Sequence, residues 1–254
     1  MTTTITTADP LVRVRGLYKF HGPTADESTG LREVSFDVER GSFVCIMGPS
    51  GSGKSTLLHL ISGLDEPSAG SVELAGHAAA GLSPRQRTLL RRETVGYVFQ
   101  FFNLLPNLTV RENIALPLAI AGRRAGAGDA KIDALIARFG LEARADALPH
   151  QLSGGEMQRT SIARALAGEQ PLLLCDEPTG NLSQKAGAEV METLRQVVDE
   201  DGRTVLLVTH NPRDAAFADE VRFLVDGRLV DEPRLTRPGL DVEAVHAALA
   251  KLSI

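Results

Sequence analysis

The sequence predicts an α/β fold with a buried, mostly parallel sheet. Short runs rich in β-branched residues alternate with helix-period stretches, the order that builds such a sheet. Several of those runs are apolar throughout, as strands covered on both faces must be. One of them, residues 43–47, opens into a glycine-rich loop and then a helical pattern. With 254 residues, 43% of them hydrophobic, the chain can bury a large core as one large domain or a domain with a subdomain.

The elements follow in order. Val34, Phe36 and Val38 alternate with polar neighbours, which predicts a half-exposed strand. The continuous run 43–47 predicts a buried one, and Leu57, Leu58 and Ile61 mark the inner side of the helix that follows. Residues 95–99 read as a strand. From about 109 to 167 the pattern is helical with no clear strand, and the glycine-rich stretch 122–128 reads as a flexible break. This predicts a helical subdomain inserted into the α/β core. Runs 172–175 and 205–208 are further buried strands, with a helix between them whose inner face carries Val190, Met191, Leu194, Val197 and Val198. After Pro233 a polar linker is expected to lead to a helix in 240–254. Its Val242, Val245, Leu249 and Leu252 share one face, which either docks on the chain's own core or meets a partner.

Composition narrows the function. The 27 basic and 32 acidic residues leave a net charge of −5, and the aromatics are 9 Phe, 2 Tyr and no Trp. That balance argues against a basic duplex-binding surface and against a stacking platform for single strands, so no nucleic-acid partner is expected. Cys45 and Cys175 each sit in an apolar run and read as reduced, buried thiols rather than a disulfide framework. Residues 1–10 have no basic start followed by an apolar stretch, so they do not read as a secretory signal. The longest span candidate, 114–121, falls far short of the ~18 apolar residues a membrane helix needs and holds Pro117. The expectation is a soluble, cytoplasmic chain that reaches a membrane only through a partner.

Two motifs carry chemistry. Gly48-Pro49-Ser50-Gly51-Ser52-Gly53-Lys54-Ser55, with Thr56 next on the helix, matches the P-loop pattern in the strand–loop–helix context it requires. Glycines let backbone N–H groups curl around phosphate oxygens, and the helix N-terminus adds partial positive charge. Lys54 supplies a full charge to the β and γ phosphates, and the Ser55 hydroxyl can ligate Mg²⁺. Further on, the apolar run 172–175 ends in Asp176 and Glu177. Asp176 can hold Mg²⁺ through its water shell, and Glu177 can orient or deprotonate an attacking water. An open parallel sheet would bring the two motifs together at the carboxyl ends of its strands.

Leu152-Ser153-Gly154-Gly155-Glu156-Met157-Gln158-Arg159 completes a set of three. Together the motifs resemble the ATP-binding cassette proteins, over roughly residues 11–232. The resemblance implies a P-loop core with an antiparallel β subdomain and a helical subdomain at about 100–167. An ATP-binding domain would then span 1–232, and 233–254 would be a linker and C-terminal helix. It implies ATP and Mg²⁺ as ligands. It also implies two cassettes packed head to tail, each ATP lying between one P-loop and the partner's Ser153, Gly154 and Gly155. A cap at Ser153 for a helix beginning near Gly154 suits an anion on physical grounds too.

Further roles rest on the same resemblance. Gln100 falls where a glutamine reaches Mg²⁺ and the lytic water, and His210 where a histidine contacts the γ-phosphate. The adenine-stacking position falls on His21, with Tyr18 and Phe20 nearby. The family's aspartate is replaced by Ser183, which implies weaker coupling between the two ATP sites.

Pro178-Thr-Gly-Asn-Leu182 and Lys185-Ala-Gly187 resemble the lipoprotein-release, macrolide-exporter and cell-division branch, whose cassettes drive a permease. Here the permease would be a separate chain. The stretches 99–106 and 112–118 point the same way, and nutrient importers typically carry Ser-Ala where Gly180 and Asn181 stand. The cluster Phe101, Phe102, Leu104 and Leu105 would either receive a short permease helix or pack locally. Arg85, Arg87, Arg91 and Arg92 read as a solvated helix face. Two alternatives stay open. One is a cassette that relays force through a permease to cell-wall enzymes. The other is a soluble cassette acting on DNA or ribosomes, disfavoured because no long coiled coil fits between the P-loop and the acidic strand.

Overall fold

The computed structural model describes residues 9–20, 29–122 and 125–254. In chain order the elements are β1 (Val12–Phe20), β2 (Thr29–Val38), β3 (Phe43–Met47), α1 (Lys54–Ile61), β4 (Ala69–Leu74), β5 (His77–Ala78), α2 (Pro84–Thr94), β6 (Val95–Val98) and α3 (Val110–Ile120). There follow α4 (Ala125–Arg138), α5 (Gly154–Leu166), β7 (Leu172–Asp176), α6 (Gln184–Asp199), β8 (Thr204–Thr209), α7 (Pro212–Ala215), β9 (Glu220–Val225), β10 (Arg228–Thr236) and α8 (Val242–Leu252).

Two sheets form. The larger runs β10-β9-β3-β8-β7-β6, and the smaller runs β2-β1-β4-β5. In the larger sheet β9, β3, β8, β7 and β6 are parallel, and β10 returns antiparallel along β9. All pairings in the smaller sheet are antiparallel. β8 therefore lies between β3 and β7, with Met47 opposite Thr209 and Asp176 opposite Val208. The three loops that leave these strands emerge side by side at one edge, where ligands of such sheets bind.

The core divides along the large sheet because alternate side chains point to opposite faces. Phe43, Cys45, Met47, Leu173, Cys175, Val205 and Leu207 face α3, α4, α5, α6 and α8. Val44, Ile46, Leu172, Leu174, Leu206 and Val208 face α1 and the small sheet. The apolar run of β3 is thus explained by cover on both faces, and both cysteines are buried and unbridged. Burial pushes both thiols well above their ordinary range, so they stay neutral.

Two local expectations change, and one left open is decided. Of the break read at 122–128, residues 125–128 belong to α4, and 123 and 124 lie outside the described residues. Alanine's favourable helix propensity offsets the neighbouring glycines. The linker expected after Pro233 is in part strand: β10 runs on to Thr236, with a register shift between Val230 and Leu235. A shifted edge strand tolerates proline because no neighbour needs its missing N–H. The terminal helix docks on its own core. Val245 and Ala248 are buried, Leu249 and Leu252 pack against the same cluster, and Asp241 caps the helix by accepting from Ala244 N at 2.8 Å.

Candidate nucleotide site

The P-loop joins β3 to α1. Gly53 begins the helix at φ 103°, and a Cβ there would lie 2.4 Å from the Gly30 carbonyl oxygen. At Gly48 a Cβ would lie 2.1 Å from the Leu224 carbonyl oxygen. Both positions need glycine for a stated reason: close backbone approach, and at Gly53 also a left-handed conformation. Lys54 is only 5% exposed. Its Nζ donates to Gly48 O at 2.8 Å and Pro49 O at 2.9 Å, and stands 3.7 Å from Glu177 Oε1. Burial lowers its pKa, and the carboxylates of Glu177 and Asp176 oppose that shift. The Ser52 hydroxyl is buried with no partner among the described residues, a donor left for something outside the chain.

Asp176 ends β7, and its Oδ1 accepts from Ser55 Oγ at 3.0 Å. Burial raises the pKa of Asp176, and the Ser55 hydrogen bond works against that. A hydroxyl beside a carboxylate is a hard-oxygen pair that fits Mg²⁺, which takes one or two protein ligands and fills the rest from water and phosphate.

Glu177 sits at φ 44°, a left-handed backbone that is costly outside glycine. Its N–H donates to Val208 O at 3.0 Å, and its carbonyl accepts from Gly180 N at 3.1 Å. These bonds hold the strained residue at the strand end. One carboxylate oxygen faces Lys54, while the other lies 3.0 Å from His210 Nδ1. Lys54, Asp176, Glu177 and His210, expected together from the sequence, are together.

The other expected residues are placed less tightly. Gln100 lies against the loop after Glu177: its carbonyl accepts from Asn181 Nδ2 at 2.9 Å, and its amide nitrogen lies 3.2 Å from where a Cβ on Gly180 would stand. Ser153 caps α5 in a reciprocal box. Its hydroxyl accepts from Glu156 N at 3.3 Å, and Glu156 Oε2 accepts from Ser153 N at 2.7 Å. The Ser153 N–H and the Ser153 hydroxyl, which donates to the same oxygen at 2.8 Å, hold the Glu156 carboxyl down at about 2, with Arg144 adding less. Among the described residues no hydrogen bond or ion pair joins Ser153, Gly154 or Gly155 to this chain's own P-loop. Gly154 instead adjoins the Leu182 side chain. Ser183 caps α6 by accepting from Ala186 N at 3.4 Å. His21 lies outside the described residues, while the rings of Tyr18 and Phe20 are 6.0 Å apart.

Residues with no motif signal complete the surroundings. Asn113 is fully buried; it accepts from Leu105 N and donates to three carbonyls of the 105–109 turn. Arg164 donates to Phe102 O at 2.9 Å and Asn103 O at 2.6 Å. Together they fix the loop after Gln100, whose Phe102 and Asn103 both have positive φ. Asp214, 4% exposed, accepts from Thr179 and Asn211. No spacing rule singles out any of the three.

A parallel sheet with a P-loop, a strand-end carboxylate pair and an adjacent histidine defines a nucleotide-hydrolysing P-loop protein. The ABC transporter family model matches residues 31–180, more than half of the chain. The lipoprotein-releasing system ATP-binding protein LolD 2 of Caulobacter vibrioides is 45% identical over 87% of this chain and 97% of its own length. The macrolide export ATP-binding/permease protein MacB 1/2 of Paracoccus denitrificans is 41% identical over 92% of this chain, which spans only 35% of that larger protein. Among solved structures, the dimeric ATP-binding cassette MJ0796, in a post-hydrolysis state with ADP and phosphate, superposes with a TM-score of 0.81. It shares 38% identity, covering 89% of this chain and 98% of the other. The chain belongs to the ABC transporter family and is its ATP-binding, ATP-hydrolysing cassette.

Proposed function

We propose that this cassette is the motor subunit of a transporter that extracts or exports its cargo through a permease carried on a separate chain. The ATP-binding unit spans 1–232 with a helical insertion at about 100–167, and 233–254 is the linker, begun by the end of β10, and the C-terminal helix docked on that unit. The observation that carries the hydrolytic assignment is Glu177 poised between Lys54 at 3.7 Å and His210 at 3.0 Å.

Lys54 and the P-loop N–H groups, from Gly48 to Thr56, bind the phosphate tail. Ser55, Asp176 and Gln100 would hold Mg²⁺, which when bound neutralises charge between the β and γ phosphates. Glu177 takes a proton from the attacking water, and His210 orients Glu177 and reaches the γ-phosphate. Ser153, Gly154 and Gly155, at the capped start of α5, complete the site of a second copy from its far side; among the described residues they make no bond to their own P-loop. The dimeric state of the MJ0796 cassette supports this arrangement.

A groove of about 440 Å³ beside the Gln100 loop fits the permease contact. Its walls include Val95, Tyr97, Phe99, Pro117 and the exposed Leu64 and Ile120, with Arg91, Arg92 and Arg164 at its margin. Phe101 is 70% exposed and Leu105 44%, whereas Leu104 packs on the core. The expected cluster therefore divides into an outward and an inward part. Among the described residues no helix is long and apolar enough to cross a membrane. The cassette's place in this reading, docked on its permease at the cytoplasmic face, is supported by its likeness to transporter ATP-binding subunits. The lipoprotein-releasing and macrolide-export relatives support extraction or export as the direction of work.

Glu177→Gln is expected to bind ATP normally, to lose turnover by more than about 100-fold and to accumulate a nucleotide-bound dimer. Lys54→Ala is expected to lose nucleotide binding or turnover. Phosphate release and size-exclusion chromatography with ATP measure both. Full turnover in either variant removes the assignment.

A further inference from the structure

Two loops meet at the catalytic pair. Glu177 follows β7 and His210 follows β8, its parallel neighbour, so their 3.0 Å contact depends on how the two loops sit. Two residues past Glu177, the Thr179 hydroxyl donates to Asp214 Oδ2. On the other loop, Asn211 Nδ2 donates to Asp214 Oδ1 at 3.0 Å, and the Thr209 hydroxyl approaches Oδ2 at 3.4 Å. Thr209 Oγ1 also accepts from Asn211 N at 3.0 Å, closing the turn around His210. Apart from the Glu177–His210 contact itself, no other side-chain hydrogen bond among the described residues joins the two loops.

Asp214 is buried, and among the described residues no Lys or Arg pairs with it. A buried carboxylate without a countercharge is expensive unless donors surround it. Here three donors do so, and they come from the two loops that carry the reacting groups. The remaining bonds of the 178–182 segment are internal turns and the Asn181 contact to Gln100, none of which reaches the His210 loop.

We propose that Asp214 is a positioning residue of the hydrolytic site, bracing the Glu177 loop against the His210 loop through Thr179 and Asn211. This rests on the reading of Glu177 and His210 as the catalytic pair. The brace fixes where the carboxylate and imidazole sit during attack and does not touch the nucleotide, so its loss slows turnover and spares binding.

The test is steady-state ATPase of the full chain across ATP concentrations. Thr179→Val, which removes only the hydroxyl donor, and Asp214→Asn are each expected to lower kcat about tenfold with KM within about twofold. The double variant is expected to stay near that same tenfold loss, because each change undoes the same brace: an amide at 214 cannot accept from Thr179 and Asn211 at once. Thr179→Ser, which keeps the donor, is expected to return kcat to within about twofold of the parent. Wild-type kcat in Thr179→Val overturns the proposal. So do losses that multiply toward about 100-fold in the double variant, or a Thr179→Ser variant as slow as Thr179→Val. If Asp214→Asn does not fold, the Val and Ser variants of Thr179 decide alone. An inactive Glu177→Gln beside a fully active Thr179→Val removes the brace only; an active Glu177→Gln removes the catalytic pair and the brace with it.

Discussion

At Glu177 a left-handed backbone and a carboxylate shared between Lys54 and His210 coincide. The strain persists because β8 holds the N–H of that residue through Val208 O and the following turn holds its carbonyl through Gly180 N. Glu156 shows the same principle away from the reaction. Its carboxylate closes the cap of α5, and the Ser153 N–H and hydroxyl hold its pKa at about 2 against an ordinary 4.5. A lowered carboxyl pKa stabilises the fold above the unfolded value, and that contribution disappears as pH falls through the folded one. The stability advantage of the parent over Glu156→Gln is therefore expected to be constant above about pH 5 and to shrink steadily toward pH 2. Urea unfolding at stepped pH measures it, and a pH-independent difference would contradict the cap assignment. Ser183 belongs to this scale as well. The sequence placed it where the family has aspartate, and its hydroxyl caps α6, which a carboxylate would also do.

Strands and helices meet closely where glycine allows. Gly96 in β6 faces α5 so tightly that a Cβ would lie 2.4 Å from the Ala165 carbonyl oxygen. Gly96→Ala is expected to cost about 1–3 kcal/mol by forcing strand and helix apart. Since β6 leads into Gln100, the variant is also expected to lower ATPase activity in the folded protein. Thermal denaturation with activity on the same sample checks both, and an unchanged melting temperature would show that the packing yields. The α2 arginines also resolve at this scale. Arg87 pairs with Glu66 and Arg91 donates to Gly63 O at 3.0 Å, while Arg85 and Arg92 stay exposed. The solvated face read from the sequence is half structural, because guanidinium stems reach neighbouring loops that no helical period reveals.

For the whole molecule, the arrangement leaves two surfaces for partners: the tip of α5 at Ser153, and the groove beside the Gln100 loop with the exposed Phe101 on that loop. The first is expected to be completed by a second copy and the second by a permease. Phe101→Ser is expected to leave the ATPase of the isolated cassette within about twofold, since the residue is 70% exposed, and to abolish co-purification with the permease. Retention of the permease by that variant would place the contact elsewhere.

The sequence by itself determined the parts whose signal is local. The P-loop, the Asp176–Glu177 strand end, the cap at Ser153 and the buried strands 43–47, 172–175 and 205–208 are contiguous patterns set by backbone geometry and burial. Their family was legible for the same reason. Tertiary structure decided what depends on neighbours distant in sequence: β8 lying between β3 and β7, the inward turn of Leu104 beside an outward Phe101, and the docking of α8. It also decided the role of Asp214, Asn113 and Arg164. A buried polar side chain is defined by the donors and acceptors that converge on it, and those come from loops the sequence never places side by side.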